Sequence, residues 1–415
     1  MKKIHLFIAF FLSACFCTGQ TANLFQKKGD SLYKLKEYKN AAIAFSAASR
    51  LMNAGQSGLL FRTRLSAARC WSLSNDPDSA FAQIDSISLL RPFVYNSLIT
   101  IMNEKDLVPL HKDQRWEKMT KKLFDSVTKE TRYPLDSTYT QQEIIYGRKD
   151  GMALTMLQLK PKHNSINRGI ILVRSGGWGS SFYMANTAEA LPYLQNGYTI
   201  FIVFHGSEPV YTITDAIEDI QRAVRFVRYN AITYSVNPDK LGMLGISAGG
   251  HLSLISGLID SSFVINSPDP VDRVSSKVQA VVSFYPVSDF LNWNAEGQNA
   301  SSADLFKHLN HLLEFRKWNA QRRQFNDVTD STEWKEILKQ ISPINHLTSN
   351  DAPVLIFHGD DDDIVPFGQT ELLVKKMEEI KIPVSFIKKK GYGHGWARND
   401  EEMKMIMDWF NTYLK

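Results

Sequence analysis

Hydrophobic residues are arranged differently in the two parts of this chain, and the difference predicts a helical first part followed by an α/β remainder. Short apolar runs rich in β-branched residues, typical of buried strands, occur at residues 170–173, 197–204, 240–244, 278–286, 354–357 and 383–387. Residues 215–234 instead repeat hydrophobic positions every three or four residues, which predicts one long amphipathic helix. Residues 144–146 and 153–159 flank Asp150-Gly151 and predict an antiparallel hairpin. Strands that alternate with helices predict an α/β fold with a mostly parallel sheet and helices on both faces.

Residues 22–130 have few strand signals and predict an all-α domain. Gly29, Leu32, Tyr38, Ala41, Phe45 and Ala48 stand at the spacings of a tetratricopeptide repeat, and a looser copy has Ala68, Trp71, Ala80 and Ile84. A generic domain of helical hairpins is the alternative. Such a domain would dock a protein partner or pack against its neighbour. Residues 131–140 are the expected linker, and residues 141–415 form the second domain.

The first residues predict export from a bacterial cytoplasm. Two lysines precede a short apolar run, so residues 1–19 fit a signal peptide. Leu12-Ser13-Ala14-Cys15 also matches a lipoprotein signal that ends before Cys15, which would then carry the lipid. Both routes stay open, and the protein would be periplasmic, anchored to the outer membrane or secreted. A lipid anchor is the only membrane attachment we expect.

Composition excludes several classes of function. The chain has 415 residues, a net charge of +5 and a pI near 8.8, without an arginine-rich tract, so nucleic-acid binding is not expected. There is no phosphate-binding G-x-x-x-x-G-K-[ST] sequence and no zinc-type cluster of Cys and His, so we expect no cofactor and no metal.

Three groups of residues indicate nucleophilic catalysis. Ser247 lies in the sequence Gly245-Ile246-Ser247-Ala248-Gly249, between an apolar strand and a buried helix, where a sharp turn exposes the hydroxyl. The acidic run of residues 360–363 and then His394 each follow a later strand. A serine becomes nucleophilic when a histidine removes its proton and a carboxylate orients that histidine. The residues alone do not choose among the four aspartates, and a calcium site is the other interpretation of the acidic run.

The stretches around Ser247, residues 219–242 and residues 278–290 resemble α/β-hydrolase esterases of the feruloyl and acetyl-xylan type, over roughly residues 141–415. The resemblance implies that Asp362 is the acid, four residues after the His of H-G-x-x-D. These esterases carry H-G-G-G-W where this chain has Arg174-Ser175-Gly176-Gly177-Trp178. The resemblance therefore implies that the N–H groups of Gly176, Gly177 and Ala248 are the oxyanion donors. Arg174 replaces the His, and it would either form an internal ion pair or meet an acidic substrate group.

Two further features bear on the substrate. Residues 290–344 form an aromatic-rich insertion that either caps the site or packs beside the core as a helical pair. Arg174, Trp178 and Trp396 are the candidate pocket residues, and His205 at a strand end is expected to be structural.

The sequence thus predicts a serine hydrolase that cleaves a small-molecule or carbohydrate ester through Ser247, His394 and Asp362. A peptidase related to prolyl oligopeptidase is the first alternative, because it shares the triad order. A non-catalytic binding protein that acts through its helical repeats is the second.

Overall fold

The computed structural model describes residues 21–415 apart from 53–56, 91–94, 132–137, 208–209, 260–263, 304 and 307–309. The chain divides into two compact units. The first comprises the described residues up to 130 together with 392–397, and the second comprises the described residues between 131 and 391 together with 398–415. The predicted signal segment, with Cys15, lies outside the described residues, as does most of the predicted linker. Within the described residues, no helix is long and apolar enough to cross a membrane.

The described part of the first unit, outside residues 392–397, is helical. Its helices are α1 (residues 21–34), α2 (Tyr38–Leu51), α3 (Ser57–Leu73), α4 (Pro77–Ser88), α5 (Tyr95–Asn103) and α6 (Gln114–Thr131), with a 3₁₀ segment at Lys105–Lys112. Gly29 on α1 lies against the ring of Phe45 on α2, where a Cβ atom would come within 2.7 Å of the ring. A small residue opposite a large one is the arrangement that the repeat spacing predicts. The all-α prediction is confirmed, and the tetratricopeptide type remains a prediction.

The second unit contains an eight-stranded sheet. Its strands are β1 (Tyr139–Lys149), β2 (Met152–Pro161), β3 (Gly169–Val173), β4 (Thr199–Val203), β5 (Leu241–Ile246), β6 (Ala280–Phe284), β9 (Val354–Gly359) and β10 (Val384–Lys389). Their order across the sheet is β1-β2-β4-β3-β5-β6-β9-β10, with parallel pairing from β4 to β10. Every residue of β3, β4 and β6 is buried, which explains the unbroken apolar runs in the sequence. The predicted α/β-hydrolase fold is confirmed.

The antiparallel edge of the sheet follows from a two-residue turn. Asp150 and Gly151 both have positive φ angles, of 48° and 82°, and join β1 to β2 in the register Lys149 opposite Met152. Positive φ at both positions is typical of a type I′ turn, whose twist matches that of the strands.

The helices of the second unit are α7 (Thr187–Gln195), α8 (Ile213–Tyr229), α9 (Ala231–Tyr234), α10 (Ala248–Leu258), α11 (Ser331–Gln340), α12 (Gly368–Glu379) and α13 (Asp400–Tyr413). The predicted long helix at residues 215–234 is interrupted at Asn230, whose side-chain amide donates to the Phe226 carbonyl at 2.8 Å. A side chain that bonds a terminal carbonyl competes with the next helical turn. Ile217, Ile220, Val224 and Val227 nevertheless form the buried face that the spacing predicts.

One of the two expectations for residues 290–344 was a helical pair, and the described residues of this insertion contain other elements as well. It contains 3₁₀ turns, a two-stranded hairpin of β7 (Arg316–Asn319) and β8 (Gln324–Asp327), and α11. Many of its apolar side chains belong to the main hydrophobic core of the unit: Phe290, Trp293, Phe306, Leu312, Leu313 and Phe315. Whether the insertion caps a site remains a prediction.

Candidate active site

Ser247 stands at a strained turn between β5 and α10. Its backbone angles are φ 57° and ψ −119°, a conformation that a residue with a Cβ atom rarely adopts and that costs about 1–3 kcal/mol. The turn is held because the Ser247 N–H donates to the Phe284 carbonyl at the end of β6, at 2.9 Å. Strain at a serine that follows a strand and begins a helix is the geometry expected of a nucleophile elbow.

The glycines around Ser247 allow this close packing. A Cβ atom on Gly249 would come within 2.6 Å of the Val173 carbonyl oxygen, and one on Gly250 within 2.9 Å of the Phe284 carbonyl oxygen. Such overlap with backbone can be relieved only by moving the strand. The start of α10 therefore lies directly against the ends of β3 and β6, which brings the predicted oxyanion loop next to the nucleophile.

The predicted oxyanion loop, residues 174–179, follows β3 and is hydrogen-bonded to the elbow. The N–H of Gly249 donates to the Ser175 carbonyl at 3.3 Å. Gly176 exchanges two hydrogen bonds with Gly179, its own N–H donating at 2.9 Å. That N–H is therefore engaged within the loop, which argues against the predicted role of Gly176. Within the described part of the chain, the N–H groups of Gly177 and Ala248 donate to no carbonyl, so both are available to a developing oxyanion.

Trp178 supports this loop from the core and is not a pocket residue. Its side chain is 2% exposed, its φ is 56°, and its indole N–H donates to His251 Nδ1 at 3.0 Å. The ring also packs on Phe290 and Phe306, with centroids at 5.6 and 6.0 Å. The sequence motif predicts a pocket tryptophan, because it does not show that the indole N–H has an acceptor inside the core.

His251, which stands in the elbow motif, supports the predicted oxyanion loop through Trp178, and the sequence pattern did not indicate this role. Because an indole N–H only donates, Nδ1 accepts, and Nε2 carries the proton that goes to the Ile341 carbonyl at 2.7 Å. Burial, offset in part by this hydrogen bond, lowers the pKa of His251 to about 4, so the ring is neutral at physiological pH. The ring thus connects the oxyanion loop through Trp178, and the insertion through Ile341, to the helix of the nucleophile.

Asp362 is distinguished from its neighbours by burial. Its side chain has no exposed surface, and Oδ1 accepts from the N–H groups of Ile364 and Val365, both at 2.9 Å. Asp361 is exposed by contrast, although partial desolvation and repulsion from the neighbouring carboxylates raise its pKa. Backbone donors that fix one carboxylate are what an orienting acid requires.

The acidic loop is further organised by His358 at the end of β9. His358 is fully buried, and its Nε2 lies 3.1 Å from the Val365 carbonyl and 3.3 Å from Asp362 Oδ2. Its Nδ1 lies 2.7 Å from Thr370 Oγ1. The His of the H-G-x-x-D sequence therefore positions the acid. In the described residues, His, Cys, Asp and Glu side chains form no group of three that could hold a metal ion.

Arg174 forms the internal ion pair that was one of its two expected roles. Glu189 on α7 binds both Arg174 and Arg398, and these side chains are only 10–15% exposed. Burial, reinforced by repulsion from Arg398, lowers the pKa of Arg174 to about 10, so it stays charged at neutral pH. The Arg398 guanidinium lies 5.3 Å from the centre of the Phe284 ring. The cluster connects the end of β3 to α7 and to the residues before α13.

His205 is only half satisfied. Its Nδ1 lies 2.6 Å from the Gly206 carbonyl, whereas Nε2 is buried without a hydrogen-bond partner among the described residues. Burial lowers its pKa to about 4, so this ring too is neutral at physiological pH.

The loop that carries His394 groups with the helical unit. Residues 392–397 belong to the first unit, while Ser247 and Asp362 belong to the second. Gly58 on α3 lies so close to this loop that a Cβ atom there would overlap the His394 carbonyl oxygen. Trp396, a predicted pocket residue, is 7% exposed and packs edge-on against Tyr392 at 5.7 Å. The complete triad therefore remains a prediction.

The comparisons with known proteins agree with this sheet. The BD-FAE family model matches residues 157–377, which is more than half of the chain. The chain belongs to the BD-FAE family. Among curated proteins of Mycobacterium tuberculosis, it is 24% identical to the probable carboxylic ester hydrolase LipM over 52% of this chain and 46% of that protein. It is 23% identical to the esterase LipC over 62% of this chain and 60% of that protein. The chain thus spans about half the length of these relatives.

Solved structures give the same fold. A truncated carbohydrate esterase from gut microbiota is 25% identical and superposes with a TM-score of 0.54, covering 68% of this chain and 99% of that one. An acetyl ester-xyloside bifunctional hydrolase from Caldicellulosiruptor lactoaceticus is 20% identical with a TM-score of 0.53, covering 65% and 96%. The covered share of this chain corresponds in size to the second unit.

Proposed function

We propose that this protein is a serine hydrolase that cleaves carboxylic esters. The observation that carries the proposal is the strained Ser247 at the start of α10, with the loop of residues 174–179 hydrogen-bonded to Gly249 two residues further on. The N–H groups of Gly177 in that loop and of Ala248 next to the serine have no carbonyl acceptor in the described residues. The family and the names of the relatives support an ester rather than another acyl compound.

In the proposed reaction, Ser247 Oγ attacks the ester carbonyl while His394 takes the hydroxyl proton. The carbonyl π electrons move to oxygen, and the resulting oxyanion accepts from the Gly177 and Ala248 N–H groups. Collapse breaks the bond to the alcohol oxygen, which takes the proton from His394 and leaves an acyl-enzyme. Water then repeats the sequence and releases the acid. Asp362 holds the imidazole in the required tautomer and stabilises its charged form.

We further propose an acetyl or feruloyl ester on a carbohydrate as substrate. Two solved structures of similar fold are described as a carbohydrate esterase and as an acetyl ester-xyloside hydrolase, which supports this class. No cofactor takes part in the proposed steps.

The first test is hydrolysis of p-nitrophenyl acetate and butyrate by the mature protein and by Ser247→Ala. We expect the rate to fall by about 10³-fold or more, as for loss of a triad nucleophile. Ser256→Ala is the matched control, because its hydroxyl lies on the same helix, is buried, and has no hydrogen-bond partner among the described residues. Equal rates in all three proteins, or none in any, would contradict the proposal.

Two further assays separate the alternatives. Cleavage of prolyl-peptide substrates without ester hydrolysis would favour a peptidase. If a fluorophosphonate probe fails to label folded protein, a non-catalytic role that depends on the helical unit becomes the better account.

We also propose that the protein is exported, because residues 1–19 have the charge and apolar pattern of a signal sequence. Metabolic labelling with a palmitate analogue would be lost in Cys15→Ser if that cysteine is lipidated. A soluble, unlabelled wild-type protein in the periplasm or medium would instead indicate ordinary signal cleavage.

A further inference from the structure

The hairpin of β7 and β8 leaves an aromatic pair exposed, whereas most other large aromatic side chains of the insertion are buried. Trp318 stands directly opposite Phe325 in the strand register, and the two ring centroids are 5.2 Å apart at 63°. These side chains are 57% and 59% exposed, whereas Phe315, just before the hairpin, is 3% exposed. Adjacent exposed aromatic side chains on a soluble protein indicate a contact surface, because their burial would be favourable.

The same hairpin is strongly basic. Residues 316–327 include four basic side chains and a single acidic one, Asp327. The Arg316 guanidinium lies 5.9 Å from the Phe325 ring centre, and Lys317 pairs with Glu333 on α11. Arg322 and Arg323 in the turn are exposed, and neither side chain has a hydrogen-bond or ion-pair partner in the described part of the chain. The charge of the turn is therefore available to an anionic ligand.

The surroundings of the aromatic pair favour a sugar polymer over a lipid surface. Asn319 and Gln324 flank the pair on the two strands, and the intervening turn contains Gln321 as well as the two arginines. A membrane-inserting hairpin would need an apolar tip, whereas here the charged turn would have to enter the lipid first. Aromatic faces stack on the C–H faces of sugar rings, amides bond hydroxyl groups, and guanidinium groups pair with carboxylates.

We propose that this hairpin binds an acidic polysaccharide, a chain of sugar rings that carries carboxylates. One or more rings stack on Trp318 and Phe325, and a uronate carboxylate pairs with Arg322 or Arg323. The surface would hold the polymer on which an ester is carried. The link to an ester on the polymer rests on the proposed function, whereas binding of the polymer itself requires no hydrolysis.

Affinity electrophoresis in polygalacturonate or glucuronoxylan tests the proposal, with the mature chain carrying Ser247→Ala so that no substrate is consumed. We expect retardation by at least one acidic polymer, and a weakening of about tenfold or more in Trp318→Ala/Phe325→Ala. Arg322→Gln/Arg323→Gln should also weaken binding and reduce its dependence on salt. Tyr229→Ala, which removes a 51% exposed aromatic on α8, and Lys375→Gln on α12 are the matched controls.

Three results would overturn the proposal. The first is that neither acidic polymer binds. The second is that the aromatic variant binds the polymers as well as the unchanged hairpin does. The third is that the chain binds a neutral mannan as well as the acidic polymers, and that the arginine variant binds this mannan equally. Sedimentation with anionic phospholipid vesicles that depends on the aromatic pair, without polymer binding, would assign the surface to lipid instead. Failure of the ester assay with polymer binding intact would reject only the proposed function. In an otherwise wild-type chain, the aromatic variant should hydrolyse p-nitrophenyl acetate normally, which shows that it is folded.

Discussion

The hydrogen bond between Trp178 and His251 gives a sharp prediction, because it connects the oxyanion loop to the helix of the nucleophile. In Trp178→Phe, the aromatic contacts with Phe290 and Phe306 are largely kept, but His251 Nδ1 loses its 3.0 Å donor at a site without exposed surface. An orphaned buried acceptor costs about 1–3 kcal/mol. A loss of about 2 kcal/mol corresponds to a fall of about 4–8 °C in the unfolding midpoint of a domain of roughly this size.

The companion change is expected to cost more. His251→Phe removes the partners of both the Trp178 indole N–H and the Ile341 carbonyl, so we expect a loss of about 2–5 kcal/mol. The double variant should lose about 1–2 kcal/mol less stability than the sum of the two single variants. In the double variant, neither the Trp178 indole N–H nor His251 Nδ1 is left without its partner, because both groups are gone. Denaturant unfolding of the four proteins closes this double-mutant cycle.

Trp178→Phe should also affect catalysis more than substrate binding. Trp178 follows Gly177 directly, and a displacement of about 1 Å in an oxyanion donor can lower kcat by about 10²-fold. We therefore expect kcat for p-nitrophenyl acetate to fall while KM changes little. Trp293→Phe is the matched control, since Trp293 packs in the same aromatic cluster, 5.2 Å from Phe306, and its indole N–H bonds no described residue. If Trp178→Phe is as stable and as active as that control, the proposed role of the hydrogen bond is wrong.

Three other predictions follow from the site. Asp362→Asn should lower kcat by roughly 10³–10⁴-fold, as for a triad acid, while Asp361→Asn leaves it unchanged, and equal effects in the ester assay would reject the choice of acid. Gly58→Ala should push on the loop of His394 and reduce kcat by about 10²-fold if the loop moves by about 1 Å, with helical circular dichroism retained; normal kinetics would show that the contact is irrelevant. Folding lowers the pKa of His251 from 6.5 to about 4. The buried neutral ring therefore has no effect on the pH dependence of stability above pH 6.5, where it is neutral in both states. As the pH falls from 6.5 towards 4, the free energy of unfolding decreases by up to about 1.4 kcal/mol per pH unit, because only the unfolded state binds the proton. Urea unfolding at pH 7 and pH 5 should show a smaller difference in the double variant that lacks His251 than in wild type, and an identical difference would refute this.

Much of the fold could be predicted from local patterns. The buried parallel strands are continuous apolar runs because both of their faces are covered, and Asp150-Gly151 specifies its own turn because few residue pairs adopt positive φ so readily. The position of Ser247 is local in the same sense, since the surrounding glycines are needed wherever a strand turns this sharply into a helix. The break at Asn230 was missed, because a side chain that bonds the Phe226 carbonyl does not alter the apolar spacing.

The support of the site depended on contacts between distant parts of the chain. Residues 178 and 251 meet only after β3 and β5 pair, and Ile341, the second partner of His251, lies 90 positions further along the sequence. Arg174 was expected either to pair internally or to face substrate, and only the placement of Glu189 on α7 decided for the ion pair. The hydrophobic pattern of a sequence contains no information on which of these partners is available.

The sequence by itself therefore determined the order of the strands of the main sheet, the nucleophile turn and the chemistry of the proposed reaction, because each depends on residues that are close in the chain. Only the tertiary structure decided that Trp178 and Arg174 support the oxyanion loop, that the Gly176 N–H is already engaged, and that Asp362 is the buried acid of its run. Burial and the pairing of polar groups are properties of the packed chain, since a donor becomes unavailable only when folding places an acceptor beside it and removes water.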